Sequence, residues 1–243
     1  MKKIYLVLPL LMTNILSGCG LKNISKEEAI NLLDNFQEQL NNKADCDKYT
    51  VKIKAKKYQD GAIEIDNAKI TYLLKIDDPA YPFYQYKIEG NYSNTTYLKE
   101  NYIFTKGSLK EKDNELWLTN ETIIGDKKEK TKQKLSGSTF SEIMRNEIEK
   151  MQSLYKNGPS LIKNKILETQ SEKEEENKYS QNGSKGLICS IVEKDKQDNF
   201  YTSTYTFDNY LLVAKKDDNS ETNYSFFKAD AVAPNFDSYT EIS

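Results

Sequence analysis

The sequence predicts an α+β domain in which a large antiparallel sheet packs against helices on one side. Stretches with apolar residues at helical spacing alternate with runs of short segments in which apolar and polar residues alternate. The composition supports the sheet, because 17 tyrosines and 9 phenylalanines in a polar chain favour half-buried strands. The order helix, strands, helix, strands is typical of a single α+β domain, which we place at residues 25–243.

The first helix is predicted to begin after Ser25. Ser25 and Glu28 form the S-x-x-E pattern of a capping box, in which each side chain binds a backbone N–H of the other residue. Apolar residues then recur at helical spacing: Ala29, Ile30, Leu33, Phe36 and Leu40. Such a helix packs on a sheet or rests on a membrane, but its polar face is less basic than a membrane-surface helix requires. We therefore expect it to pack on the sheet.

A run of about seven strands is predicted to follow as an antiparallel meander. In the first strand Val51, Ile53 and Ala55 alternate with lysines, so one of its faces is wet. Asp60-Gly61 is a predicted turn. The segments that read as strands are YTVKIKAKKY, DGAIEI, AKITYLLKI, PFYQYKIEGNY, TTYLKENYIF, NELWL and ETIIG.

A second helix is predicted from a capping box at Thr139 and Glu142. We expect it to end at Gly158, because glycine is typical of a helix C-terminus and Pro159 cannot continue the hydrogen-bond ladder. The segment SLIKNKIL is then a further short helical piece, and QSEKEEENK is a solvated loop.

The last part of the chain returns to strands. The predicted strands are KGLICSIVEKD, NFYTSTYTFDN, YLLVAKKDD and ETNYSFFKADAV. Asp208-Asn209 is a predicted hairpin turn between two of them. The final segment, APNFDSYTEIS, reads as an extended tail.

The first twenty residues have the anatomy of a secretory signal. Lys2 and Lys3 precede an apolar run, Ile4 to Met12, that is shorter than the ~20 residues a membrane span needs. The next small residues, Leu16-Ser17-Gly18-Cys19, resemble the lipobox of bacterial lipoproteins. That resemblance implies a signal peptide at residues 1–18, diacylglycerol on the sulfur of Cys19, a short tether at residues 19–24, and anchoring on the extracytoplasmic face of the cell membrane.

Several chemistries are excluded or unsupported by composition. The chain has no histidine, which rules out Ser–His–Asp and Cys–His catalysis and removes the commonest metal ligand. It has no phosphate-binding glycine motif and no calcium-binding loop pattern. The net charge is −2 with acids and lysines interspersed, which speaks against nucleic acid. Acid–base pairs among the 37 acidic residues remain open but none stands out, so we expect no enzyme, no metal site and no cofactor.

Cys46 and Cys189 remain once Cys19 is set aside. An even pair outside the cytoplasm fits a disulfide, and it fits two separate small core residues equally well. The sequence leaves both alternatives open.

A broad sheet with helices on one side encloses either a dry core or an apolar cavity for a hydrophobic ligand. Each residue on the apolar faces is therefore a candidate for cavity lining or, on general grounds, for the packed core. The candidates for lining are Ile53, Leu73, Tyr84, Tyr86, Ile88, Trp117, Ile191, Tyr205 and Phe207.

The arrangement as a whole resembles the LolA/LppX-like family of envelope lipoproteins and lipoprotein carriers. The similarity spans most of the chain after Cys19, and it includes a late hairpin and a closing motif at Pro234 to Asp237. The hairpin residues are Phe207, Asp208, Tyr210, Leu211, Leu212 and Val213. The resemblance implies a large curved antiparallel β-sheet (half-barrel) with helices packed on its concave side around a cavity for acyl chains.

Two functions remain in contention at this point. The first is a membrane-anchored lipoprotein that binds or carries a lipid or lipidated molecule. The second is a non-enzymatic structural or interaction lipoprotein with a filled core, which recognises another envelope component. The sequence does not give the oligomeric state.

Overall fold

The computed structural model describes residues 20–77, 83–106, 115–169, 171–195, 197–229 and 235–243. The signal peptide predicted at residues 1–18, the predicted lipidation site Cys19 and the predicted motif residue Pro234 lie outside these ranges. The described chain contains two α-helices, α1 (Lys26–Asn41) and α2 (Gly137–Glu168), and short 3₁₀ turns at Ser171–Glu176 and Phe236–Ser238. Its strands are β1 (Lys22–Ile24), β2 (Lys48–Asp60), β3 (Ile63–Lys75), β4 (Phe83–Tyr92), β5 (Thr95–Lys106), β6 (Glu115–Ile124), β7 (Lys127–Lys134), β8 (Lys178–Asn182), β9 (Gly186–Lys194), β10 (Phe200–Asp208), β11 (Leu211–Lys216), β12 (Ser220–Phe226) and β13 (Thr240–Ile242).

All of these strands belong to one open sheet in the order β1-β8-β9-β10-β11-β12-β2-β3-β4-β5-β6-β7-β13. Every neighbouring pair is antiparallel except β13 and β7, which are parallel. The two halves of the sheet join where β12 pairs with β2, from Ser220 opposite Ala55 to Phe226 opposite Tyr49. The predicted α+β class with a large antiparallel sheet is confirmed.

The first helix has the predicted start. The Glu28 N–H donates to the Ser25 hydroxyl at 3.1 Å, and the Ser25 N–H donates to the Glu28 carboxylate at 2.7 Å. The helix buries Ala29, Leu33, Phe36 and Leu40. Local signals alone therefore position this helix correctly.

The prediction for the second helix is wrong at both ends. Its N-cap is Ser136, whose hydroxyl accepts from the Thr139 N–H at 3.2 Å, and the helix runs through Pro159 to Glu168. The predicted short piece after Pro159 is therefore part of α2. Gly158 does not end the helix. Its missing side chain instead allows α2 to approach β11 closely, because an added Cβ would sit 3.3 Å from Leu212 Cβ.

The break at the proline is repaired by a side chain from α1. Pro159 has no N–H and its ring disturbs the preceding turn. Gln37 accepts hydrogen bonds from the Ser160 N–H at 3.3 Å and the Ser160 hydroxyl at 2.6 Å. The same amide donates to the Lys156 carbonyl at 2.7 Å. A distant residue therefore supplies the partners that a continuous helix would have provided.

The meander has six strands, β2 to β7, where seven were predicted. The predicted segments DGAIEI and AKITYLLKI form the single strand β3, which has a register shift between Asp66 and Lys69. Likewise NELWL and ETIIG form β6. Strand β7 was missed because its sequence, KKEKTKQK, has no apolar residue to alternate.

At the end of the chain β9 to β12 are confirmed, together with the hairpin turn after Asp208, where Asn209 and Tyr210 have φ of 48° and 73°. The short strand β8 was missed. The predicted extended tail instead contains a 3₁₀ turn and β13. The predicted tether is also corrected, because Lys22–Ile24 is strand β1 and pairs with β8.

Two buried clusters connect the helices to the sheet. In the α1 cluster both helices pack on β8 to β11, and in the α2 cluster the first part of α2 packs on β3, β5 and β12. The α1 cluster comprises Ala29, Leu33, Phe36, Ile162, Ile166, Tyr179, Leu187, Cys189, Ile191, Tyr205, Phe207 and Leu212. The α2 cluster comprises Cys46, Leu74, Ile103, Phe140, Met144, Met151, Tyr155 and Phe226. Within the described ranges, no helix combines the length and the apolar character that crossing a membrane requires.

Candidate ligand-binding cavity

Strands β11, β12, β2, β3 and β4 bring alternate residues into rows on one face of the sheet. Residues directly opposite each other on neighbouring strands share a face, so the register defines these rows. One row is Lys215, Thr222, Ile53, Ile70 and Ile88. The second is Tyr224, Val51, Tyr72 and Tyr86, and the third is Phe226, Tyr49, Leu74 and Tyr84.

A cavity of about 470 Å³ lies against these rows, with α2 contributing one wall. This volume is within the range of about 300–1,000 Å³ typical of small-molecule sites. The lining combines four tyrosines, four aliphatic residues, one threonine and three charged residues: Tyr49, Tyr72, Tyr84, Tyr224, Val51, Ile53, Leu73, Leu74, Thr222, Glu147, Lys150 and Lys215. The cavity therefore has an apolar surface with a few polar groups.

The charged residues of the lining differ in their pairing. On α2 the Lys150 ammonium lies 2.7 Å from the Glu147 carboxylate, and the Lys150 side chain is 71% exposed. On β11 the Lys215 ammonium lies 5.7 Å from the centre of the Tyr205 ring. In the part of the chain that the structure describes, Lys215 has no carboxylate within ion-pair distance.

The tyrosines of the lining stay neutral at physiological pH. Burial raises the pKa of Tyr49 and Tyr84 far above the ordinary value, and the charge of Glu147 adds to the effect in both. Burial, followed by a hydrogen bond with Tyr58, does the same to the pKa of Tyr72. The two tyrosine hydroxyls, of Tyr58 and Tyr72, are 3.4 Å apart. These phenols therefore offer hydroxyl donors and acceptors beside apolar walls.

The nine residues predicted to line a cavity lie in several different parts of the structure. Ile53 and Tyr84 line the cavity. Leu73 borders it as well, although its side chain packs on the other face of the sheet, because its strand neighbours Tyr72 and Leu74 face the cavity. Ile88 is buried beside it with Ile65, Ala68, Ile70 and Tyr97, and Tyr86 packs against that group. Trp117 is buried with Leu73, Phe83 and Tyr102 in a further cluster, and Ile191, Tyr205 and Phe207 belong to the α1 cluster.

Sequence reasoning missed most of the cavity lining. Val51 and Tyr49 continue the alternation that contains Ile53, so the pattern would have identified them. Tyr72 and Tyr224 come next to them only through strand pairing, which sequence does not reveal. Glu147 and Lys150 lie on the polar side of the α2 pattern and read as ordinary surface residues.

The cysteine question has a structural answer: Cys46 and Cys189 are both free and buried. Cys46 is in the α2 cluster and Cys189 in the α1 cluster. Burial raises the pKa of the Cys189 thiol to about 12 and also raises the pKa of Cys46. They are separate core residues, and both thiols are protonated at neutral pH.

A second polar group, around Glu193, connects α2 to β9 and β10. The Glu193 carboxylate lies 2.7 Å from the Lys165 ammonium and accepts hydrogen bonds from the hydroxyls of Tyr205 and, at 3.4 Å, Tyr201. Burial acts to raise the pKa of Glu193, but the bonds to Lys165 and Tyr205 outweigh it and hold that pKa below 4.5. These partners come from α2 and β10, so the group connects the helix to the sheet.

Within the described residues, no group of three or more acidic or cysteine side chains is positioned to hold a metal ion. The chain matches no protein-family model and no curated protein. The argument for function therefore starts from the cavity itself.

Proposed function

We propose that the protein is a membrane-anchored bacterial lipoprotein that binds or carries a lipid or lipidated molecule at the cell envelope. The observation that carries the proposal is the cavity of about 470 Å³ whose walls include Val51, Ile53 and Leu74. An apolar cavity with a few polar groups is the usual form of a site for a hydrophobic ligand. The proposed role is binding, without catalysis, metal or cofactor.

The proposal includes the shape implied by the resemblance to LolA/LppX-like proteins: a half-barrel with helices on its concave side. One observation and one general property of sheets support it. Both helices bury apolar residues against one set of strands, since Phe36 of α1 and Ile162 of α2 share a cluster with Phe207 of β10. A sheet of this size also twists and curls rather than staying flat.

The anchor is the second part of the proposal. Cys19, at the end of the lipobox-like segment, would carry the lipid, and each buried methylene adds about 0.8 kcal/mol of membrane affinity. Only Gly20 and Leu21 separate Cys19 from β1, which begins at Lys22. Three residues span at most about 10 Å. The β1–β8 end of the sheet would therefore lie next to the membrane surface.

The proposal is tested by native mass spectrometry of the full-length protein purified from a lipid-rich host. We expect co-purified lipid in the wild type and, in Val51→Phe, a loss of at least about tenfold in occupancy, because the larger side chain enters the cavity. Lys52→Phe is the matched control, since Lys52 is the exposed neighbour on the same strand. Lipid of equal occupancy in all three proteins would place the ligand elsewhere.

The alternative, a filled lipoprotein that recognises another envelope component, is favoured by one observation. Ile88, Ile191 and Phe207, all candidates for lining, are 0%, 0% and 2% exposed and packed among other apolar side chains. If the wild type is recovered empty and takes up no fluorescent fatty acid, this alternative replaces the proposal.

A further inference from the structure

Lys215 occupies an unusual position for a lysine. It lies opposite Tyr205 on β10 and opposite Thr222 on β12, in the row that continues into Ile53. Its neighbour on the strand, Lys216, points to the other face and is exposed, as lysines in a half-buried strand normally are. Lys215 therefore presents a cation to the cavity side of the sheet, where an apolar residue would be the ordinary choice.

Among the described residues, no carboxylate lies within ion-pair distance of the Lys215 ammonium. Two nearby acidic residues are engaged by other groups. Glu193 binds Lys165 and Tyr205, and the Asp217 carboxylate accepts from the Asn219 N–H at 2.8 Å and the Ser220 N–H at 2.7 Å. The Lys215 ammonium lies over the ring of Tyr205 at 5.7 Å, which stabilises a cation only weakly. Glu193 and Asp217 act on Lys215 only from beyond ion-pair distance, where its charge helps to lower the pKa of both carboxyls.

The charges of the cavity do not balance. Among the charged lining residues Glu147 is paired with Lys150 at 2.7 Å, so the lining itself offers no carboxylate to Lys215. A neutral ligand that displaced water from the cavity would strip Lys215 of its hydration without giving it a counter-charge, which costs free energy. An anionic head group would supply that counter-charge and form charge-assisted hydrogen bonds.

The rest of the lining suits a single apolar chain. Val51, Ile53 and Leu74 provide an aliphatic surface on the strands next to β12 and β11. The volume of about 470 Å³ is in the lower half of the range for small-molecule sites, which favours one acyl chain over two.

We infer that the ligand of this cavity is a single-chain acidic amphiphile, a fatty acid whose carboxylate pairs with Lys215 while its chain lies on Val51, Ile53 and Leu74. The inference rests on the proposed function, because it presumes that the cavity takes a hydrophobic ligand. It adds the class of ligand and the residue that selects it.

The test compares two probes of equal chain length, dodecanoic acid and dodecanol, by titration calorimetry on the delipidated full-length protein at about pH 8, where the acid is ionised. We expect the wild type to bind the acid at least about tenfold more tightly than the alcohol. Lys215→Met should lose this preference and bind the alcohol within about twofold of the wild type. Lys216→Met, the matched control on the opposite face, should behave as the wild type.

The outcomes separate the inference from the proposed function. If neither probe binds the wild type, the proposed function fails. If both bind equally, or if the preference for the acid survives in Lys215→Met, the inference alone is overturned. If Lys215→Met binds neither probe, Lys215→Arg decides, because it keeps the charge: a retained preference for the acid supports the inference, and its loss overturns it.

Discussion

The helix-facing side of the sheet is packed in one region and open in another. Over β8 to β11 both helices contribute, and Leu33 of α1, Ile166 of α2 and Leu187 of β9 are at most 1% exposed. Over β12, β2, β3 and β4 the helical lining residues are Glu147 and Lys150 of α2, and a cavity of about 470 Å³ remains. Both regions use aromatic and aliphatic strand residues.

This difference shows that the packing of the helices, more than the composition of the strands, determines where the cavity lies. The α1 helix supplies Ala29, Leu33 and Phe36 to the packed region. At the cavity itself α2 contributes a charged pair that does not fill the space, while its apolar residues, such as Met144 and Met151, pack in the adjoining α2 cluster. Tyrosines such as Tyr49 and Tyr84 tolerate this, because a phenol needs both an apolar contact and a polar partner.

The test with the largest expected change in stability removes an aromatic ring from each region. Phe36 is 0% exposed, and its ring centre is 6.0 Å from that of Phe207 and 5.4 Å from that of Tyr210. We expect Phe36→Ala to lower the free energy of unfolding by about 3–5 kcal/mol, measured by urea denaturation. Tyr84→Ala, in the cavity lining, should cost about 1 kcal/mol, because its ring already borders empty space. Equal losses would contradict the comparison.

The sequence predicted the packed region better than the open one, for physical reasons. The start and the buried face of α1 depend on local signals, at Ser25, Glu28 and the apolar stripe, and both were predicted correctly. The length of α2 was not, because the stop signal at Pro159 is overcome by Gln37 from a different helix. Rules based on neighbouring residues cannot predict a hydrogen bond to a residue that is distant in sequence.

The same limit applies to the candidate site. Alternation in β2 and β4 correctly identified Ile53 and Tyr84 as inward-facing, but the same rule in β10 selected Phe207, which the helices cover. Which part of a face stays open depends on where a helix ends and on the β12–β2 pairing, and neither leaves a local pattern. Lys215 looks like any strand lysine until that pairing is known.

The next largest expected change in stability comes from replacing a carboxylate in each region. Glu193 is held by Lys165 and Tyr205 in the packed region, so we expect Glu193→Gln to lower the free energy of unfolding by about 2 kcal/mol at neutral pH. Glu147→Gln, in the open region, should cost about 0.5 kcal/mol or less, because its partner Lys150 is 71% exposed and solvent screens the pair.

The pH dependence of unfolding gives this pair of variants a second readout. The folded pKa of Glu193 is below 4.5, so its contribution is present above about pH 4.5 and is lost as the pH falls through the folded pKa. We expect wild-type stability to fall more steeply than that of Glu193→Gln over this acid range, measured by urea denaturation at several pH values. Parallel curves would show that the carboxylate is not held as described.

The test with the smallest expected change in stability, and the most direct one, enlarges a side chain in each region. Ala29 is 0% exposed in the α1 cluster, and Ala29→Val should cost about 1–3 kcal/mol because no space exists for the added carbons. Val51 borders the cavity, and in Val51→Ile the extra methylene enters open volume. Because the methylene is only partly buried there, it gains less than the ~0.8 kcal/mol of full burial, and a loss of side-chain entropy opposes that gain, so we expect a net change within about 0.5 kcal/mol.

Thermal and urea unfolding of both variants would measure this difference, and the Val51→Ile result decides how the cavity is to be understood. A negligible cost means that the space beside Val51 is empty or filled with water in solution, as a binding site requires. A cost as large as that of Ala29→Val means that side chains close the space when the protein is free. In that case the strands of the two regions are packed alike. The cavity would then no longer support ligand binding, and the filled-core alternative would be favoured.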